Sequence, residues 1–284
     1  MTEHYLTYTN HDGTVLELSG APYWLRSLSG IYGMPTQSVL TDVPLKVPAA
    51  MYQGTNTRMR NIDATLVVGG GCAADMITNL SALHAHFWPD IRDDELGTLR
   101  YVGFNGEDRT TLVTPPEGGE PGGGTWWMAN PGRASSTEVT LRFVAPDATW
   151  SDTTLVTANC AIVGVGAIPC LCTNAGDADA YATINVDPVA TQTTDLLITD
   201  IYGNDLQIMN TITPPRDLTL VLNPQRGVLS IELDDGTDWM GMLSSASRLI
   251  KVAPGANNLT FTGGAAGDDG GVTVTFYSQY AGHG

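Results

Sequence analysis

Lysine is nearly missing from this chain: its 284 residues include only Lys46 and Lys251. The basic residues number 13 against 30 acidic ones, a formal charge of −17. Binding nucleic acid by phosphate neutralisation takes a basic patch, and no run of Lys or Arg exists here. The acidity suits a soluble virion or extracellular protein better than one built to repel DNA, although both readings fit the charge. Long apolar runs are missing as well. No stretch approaches the ~20 residues of a membrane span. The start, Met1–Gly13, lacks the basic-then-apolar order of a signal peptide, so synthesis and folding in a cytoplasm are expected. Cysteine is scarce: Cys72, Cys160, Cys170 and Cys172 are too few and too clustered to staple a secreted mini-domain. They are expected as reduced thiols in strands.

Chemical signatures are also lacking. There is no Gly-x-Ser-x-Gly elbow, no His-Glu-x-x-His and no phosphate loop ending in Gly-Lys-Ser/Thr, so no enzyme and no cofactor are expected. His84 and His86 stand about 200° apart around a helix and cannot share one ion; His84 is expected to fill a gap in an apolar face. Cys170 and Cys172 share a strand face without a second pair at zinc spacing. The Asp177/Asp179 pair and Asp268-Asp269 lack the ligand order of an EF-hand, and turn formation explains them more simply.

What the chain does contain is strand signal. Short alternating runs are separated by Pro, Gly, Asn and Asp, the pattern of sandwiches and barrels. Val139, Leu141 and Phe143 alternate with Thr140 and Arg142, and Val272, Val274 and Phe276 alternate with Thr273 and Thr275. Both have the period of two of a half-buried strand. One helix stands out at Ala73–Trp88. Met76, Ile77, Leu80, Leu83, His84 and Phe87 lie on one side, Asp75 suits its positive end, and Pro89 is expected to end it. Thr114–Gly124 is too rich in Pro and Gly for regular structure and reads as a hairpin loop or insertion. Just beyond it, Trp126 and Trp127 point to opposite faces of a strand. One belongs to the core; the other is a candidate for a subunit interface, or equally for a rim packed under the loop. From about Ser151 the chain reads as eight or nine strands without a helix, for which an antiparallel jelly roll fits best.

Three phrases occur in order: the strand, Ala145-Pro146-Asp147 and Trp150 in Glu138–Trp150; Asn174-Ala175-Gly176-Asp177 before a strand; and Pro254-Gly255-Ala256-Asn257. Pro146 ends a ladder by removing a donor, Asp147 suits an Asx turn, and Trp150 suits an anchor for the next domain. Gly176 is expected at positive φ, as is Gly255 in a type II turn. Over nearly its whole length the chain thereby resembles the distal tail protein family of long-tailed bacteriophages. Ala148 and Ala182 stand where that family commonly has proline.

The resemblance implies a mainly β protein of two domains. Residues 1–150 would be a ring-forming, sandwich or split-barrel tail-tube-type domain with one helix. Residues 151–284 would be a peripheral jelly roll of the galectin or carbohydrate-binding-module kind. Pro146, Asp147 and Trp150 would form the joint. It further implies a virion protein at the tail tip, six copies to a ring at the end of the tail tube. Its partners would be the tube protein, a hub protein and receptor-binding proteins, with DNA passing through without specific binding. The alternative is a carbohydrate-binding module contacting host glycans, with Tyr202 or Trp239 stacking on a sugar ring.

Overall fold

The computed structural model describes residues 5–33, 36–42, 50–57, 59–103, 105–121, 135–188, 192–223 and 228–282. The protein is mainly β, with 21 strands and one α-helix among the described residues. It divides into two compact units: residues 1–150 together with 281–284, and residues 151–280.

The first unit runs β1 (Tyr5–Thr9), β2 (Val15–Glu17), β3 (Tyr23–Ser29), β4 (Thr36–Asp42), β5 (Ala50–Thr57) and β6 (Arg60–Gly69). It continues with α1 (Ala73–Asp93), β7 (Gly97–Val102), β8 (Asp108–Val113), β9 (Glu117–Pro121) and β10 (Ser136–Ala145). One antiparallel sheet has the order β2-β1-β7-β8 and another the order β3-β6-β10-β9, while β4 and β5 form a hairpin. The alternation read in Val139–Phe143 is the inward row of β10, which also includes Thr137 and Ala145. Each fully buried Leu or Phe in such a row contributes about 1.5–3 kcal/mol of hydrophobic stabilisation.

The helix α1 buries Met76, Leu80, Leu83, Phe87 and Asp90, a stripe spaced four and three residues apart. Phe87 meets Tyr8 of β1 edge-on at 4.9 Å between ring centroids, and Tyr8 stacks on Phe143 of β10 at 5.6 Å. Two expectations fail here. Pro89 does not end the helix, which runs on to Asp93 and stops where Asp94 turns left-handed at φ 56. A proline inside a helix forfeits one hydrogen bond, and burying Phe87 and Asp90 on either side of it offsets that loss. His84 and Ile77 are exposed rather than packed in the apolar face. The buried stripe is narrower than the apolar one, and His86 is the histidine that turns inward, edge-on to Tyr8 at 6.0 Å.

The second unit opens with β11 (Trp150–Val163), β12 (Ile168–Asn174), β13 (Thr183–Asp187), β14 (Thr193–Thr194), β15 (Leu197–Thr199) and β16 (Asp205–Gln207). Then come β17 (Thr211–Ile212), β18 (Leu218–Asn223), β19 (Val228–Leu233), β20 (Gly255–Thr262) and β21 (Asp269–Tyr280). Two antiparallel sheets, β19-β18-β13-β21-β11 and β12-β20-β15-β16, share one core, and β14 pairs with β17. Ile184, Leu220 and Phe276 enter the core from the first sheet, and Ile198, Leu259 and Phe261 from the second. Inward rows of two facing sheets are what a β-sandwich requires. The sheets stay open and do not close into a barrel. The strands number more than the eight or nine expected, because pieces of two or three residues such as β14 and β17 carry no readable periodicity. Val252 makes an isolated bridge to Ala180.

The thiol expectation is also corrected. Cys160 of β11 and Cys170 of β12 form a disulfide with Cα atoms 5.5 Å apart, while Cys72 and Cys172 are free. The two sheets bring together two residues that the sequence gives no reason to pair.

Candidate functional site

The phrase Ala145–Trp150 continues from β10 and leads into β11. Pro146 is exposed, and Asp147, Ala148, Thr149 and Trp150 are buried. Asp147 Oδ1 accepts the Thr149 backbone N–H at 2.9 Å and its hydroxyl at 2.6 Å. That is an Asx turn, which holds the chain in an irregular bend without losing backbone hydrogen bonds.

The residue that organises this segment is Arg60, at the start of β6 opposite Ala145. Its side chain is buried, the residue being only 2 % exposed. Nε and Nη2 donate to the Ala148 carbonyl at 2.9 and 2.6 Å, Nη1 to Gly30 at 2.8 Å and Nη2 to Gly33 at 2.6 Å. Nη2 also donates to the carbonyl of Ala281. Burial pulls the Arg60 pKa below arginine's ordinary value, and the nearby Asp147 carboxylate opposes that pull. Arginine stays charged under such a shift and offers five donors in a fixed fork, which suits a cage of carbonyls. Gly30 takes φ 81, and a side chain there would overlap the Asn61 carbonyl. Arg109 makes a parallel contact, donating to the carbonyl of Gly282. The sequence offered no signal for Arg60, since its partners lie up to 221 residues away.

A second polar cluster sits where α1 ends. Asp90 is fully buried and accepts from the Tyr8 hydroxyl, from the His11 backbone N–H at 2.8 Å and from His11 Nδ1 at 2.7 Å. His11 Nε2 lies 3.2 Å from Asp12 and 3.4 Å from Asp93. The hydrogen bond to Asp90 raises the His11 pKa, whereas burial lowers that of His86. Burial, followed by the bond to Asp90, raises the Tyr8 pKa and keeps its phenol protonated. These groups tie β1 and the turn after it to the helix, with Asp90 buried and His11 at the surface.

In the second unit Asn174 is fully buried and joins three segments. Its Oδ1 accepts the Gly176 N–H at 3.0 Å, and its Nδ2 donates to Ala178 at 2.8 Å and to Val252 at 3.0 Å. Gly176 is not at positive φ. The need for glycine there is one of space, because a Cβ would overlap the Gln279 carbonyl oxygen of β21. Gly255 does take positive φ, at 86. Trp239 is 8 % exposed and packs in the core of this unit, so its ring has no face to offer a sugar. Tyr202 is 57 % exposed. Trp126 and Trp127 lie outside the described residues.

A cleft of about 320 Å³ in the first unit is lined by Ser19, Leu25, Arg26, Ile31, Tyr32 and Tyr101 among others. Its cation, Arg26, is paired with Glu138, and no nucleophile–base pair among the described residues faces it. Among the described residues no three His, Cys, Asp or Glu side chains gather as a metal site.

No protein-family model and no curated protein matches this sequence. Solved structures do match. The crystal structure of the SPP1 Dit (gp 19.1) protein, described as a paradigm of the hub adsorption apparatus in phages infecting Gram-positive hosts, superposes with a TM-score of 0.68. The match covers 98 % of this chain and 99 % of that one at 17 % identity. The chain has the fold of the SPP1 Dit protein. A chain from the phage p2 baseplate in its activated conformation with Sr matches with a TM-score of 0.50 at 8 % identity, over 95 % of this chain and 98 % of that one. The likeness runs end to end, through both units and the joint between them in sequence.

Proposed function

We propose that this chain is a structural protein of a phage tail tip, without catalytic activity. Six copies form a ring at the distal end of the tail tube. In this reading the first unit closes the ring and continues the DNA channel, and the second unit carries the outward arm that holds hub and receptor-binding proteins. The observation that carries the proposal is the whole-length match in fold to the SPP1 Dit protein, both units in the same order.

The joint residues suit this work. Pro146, Asp147 and Trp150 form a segment held by hydrogen bonds and burial rather than a reactive site. A ring needs heterologous contacts that close by rotation, and exposed apolar residues suit the core of such contacts. On α1, Ile77, Trp88 and Ile91 are exposed at 40, 60 and 50 % and fall in one stripe beside the buried one. That stripe is a contact surface in the proposed assembly.

Native mass spectrometry of the purified chain tests the ring. Hexamers are expected, or a monomer that becomes a ring when the tube protein or hub protein is added. A stable dimer that never forms a ring under either condition overturns the proposal.

A further inference from the structure

In the second unit, three segments distant in sequence meet at one exposed spot. They are Asp179–Tyr181 before β13, the turn Asp200–Asn204 between β15 and β16, and Lys251. Asp200 is only 5 % exposed, and its carboxylate collects four N–H donors. They are the backbone N–H groups of Tyr202, Asn204 and Lys251 at 2.9, 2.9 and 3.0 Å, and the Asn204 amide at 2.9 Å. One buried carboxylate thus fixes the turn that bears Tyr202 to the segment that bears Lys251.

Tyr202 is more than half exposed and yet held at both ends. Its N–H is bound to Asp200, and its hydroxyl donates to Asp179 Oδ1 at 2.8 Å. The other oxygen of Asp179 accepts from Lys251 Nζ at 3.2 Å. The ammonium also sits 5.9 Å from the centre of the Tyr181 ring. An ammonium has three donors, and Asp179 takes one. Lys251 is one of only two lysines in the chain. The spot therefore presents an immobilised aromatic face beside a carboxylate acceptor, an ammonium donor and the Asn204 amide.

We infer that Tyr202 and its surroundings form a binding subsite for a neutral saccharide. The apolar C–H face of a pyranose packs on the Tyr202 ring, while its hydroxyls donate to Asp179 and accept from Lys251 and Asn204. Pre-ordering of the ring reduces the entropy that binding would otherwise lose. Neutral sugars fit better than acidic ones, because Lys251 is already neutralised by Asp179 and the chain carries −17 overall. A single shallow subsite implies affinity near the millimolar range, which repetition around a ring would multiply.

The subsite lies in the second unit alone and does not depend on ring formation, so either can fail without the other. The full-length chain labelled with 3-fluorotyrosine is titrated with glucose, galactose, N-acetylglucosamine, rhamnose and short oligomers of each. The Tyr202 resonance is assigned by its absence from Tyr202→Phe. One saccharide is expected to shift that resonance saturably. The Tyr202 variants lack that resonance, so their binding is read from saturation-transfer NMR of the sugar. Tyr202→Ala should weaken binding about tenfold or more, the ratio equivalent to ~1.4 kcal/mol. Tyr202→Phe keeps the ring and should lose less, and Lys251→Gln should weaken binding with the fold intact by circular dichroism. No saturable shift with any of these sugars overturns the inference, as does binding that survives Tyr202→Ala unchanged.

Discussion

Arg60 shows how much one residue can decide. Its guanidinium meets carbonyls from the turn after β3, from the segment after β10 and from the end of the chain. Replacing it by alanine leaves the buried Ala148 carbonyl without its donor, at a cost of about 1–3 kcal/mol, and frees the part-buried carbonyls of Gly30, Gly33 and Ala281. Arg60→Ala is expected to destabilise the first unit by roughly 3–5 kcal/mol, the scale for breaking a buried charged network. Arg60→Lys should recover less than half of that, because an ammonium cannot reproduce the planar fork. Urea midpoints followed by tryptophan fluorescence measure both; full recovery by lysine would show that charge alone matters.

The two histidines beside Asp90 give opposite pH dependences. His11 has a raised folded pKa, so its stabilising contribution is complete below the unfolded value, about 6.5. It is lost as pH rises through the folded value. His86 has a lowered folded pKa, so its contribution is complete above about pH 6.5 and is lost as pH falls through the folded value. Together they place a stability maximum of the first unit near pH 6.5. His11→Asn should flatten the alkaline side and His86→Phe the acid side. Urea midpoints between pH 5 and 8 check this, and one unchanged profile for both variants would refute it.

At the scale of elements, period-two strands and the amphipathic helix were legible because each writes its burial into its own sequence. β10, β21 and the start of α1 obey that rule. The end of α1 does not. Proline's local cost argues for a stop at Pro89, and the gain from burying Asp90 with Tyr8 and His11 lies 79 to 82 residues away. The Cys160–Cys170 bridge is a similar case, since ten residues separate its ends and only the meeting of β11 and β12 pairs them. Closing a loop of that size stabilises by about 2–3 kcal/mol. Dithiothreitol, or Cys160→Ser with Cys170→Ser, should lower the urea midpoint of the second unit accordingly. Cys172 contributes nothing to this effect: burial pushes its thiol up to about 11, which keeps it protonated and unreactive.

Across the whole molecule, charge and chain path matter most. At −17 with 13 basic residues, the chain should not bind duplex DNA at physiological salt, where screening acts over ~8 Å. Fluorescence anisotropy with a labelled duplex is expected to show no saturable binding, as the proposed role requires. Saturable binding would contradict the proposed role. The chain leaves the first unit after Trp150 and returns to it at Ala281. Arg60 holds the carbonyls of both Ala148 and Ala281, so it grips the first unit's end of each crossing.

The sequence by itself determined the mainly antiparallel β character, the place of the helix α1, the lack of catalytic motifs and the resemblance to distal tail proteins. These rest on local periodicity, turn chemistry and composition, which a stretch of chain carries within itself. Only the tertiary structure decided that Arg60 is the lock of the joint segment, that Cys160 meets Cys170, that Gly176 is needed for space, and that Tyr202 stands beside Asp179 and Lys251. Each of these is a meeting of residues far apart in sequence or unmarked by any pattern. Such meetings are fixed by how strands stack and chains return, and the residues themselves carry no sign of them.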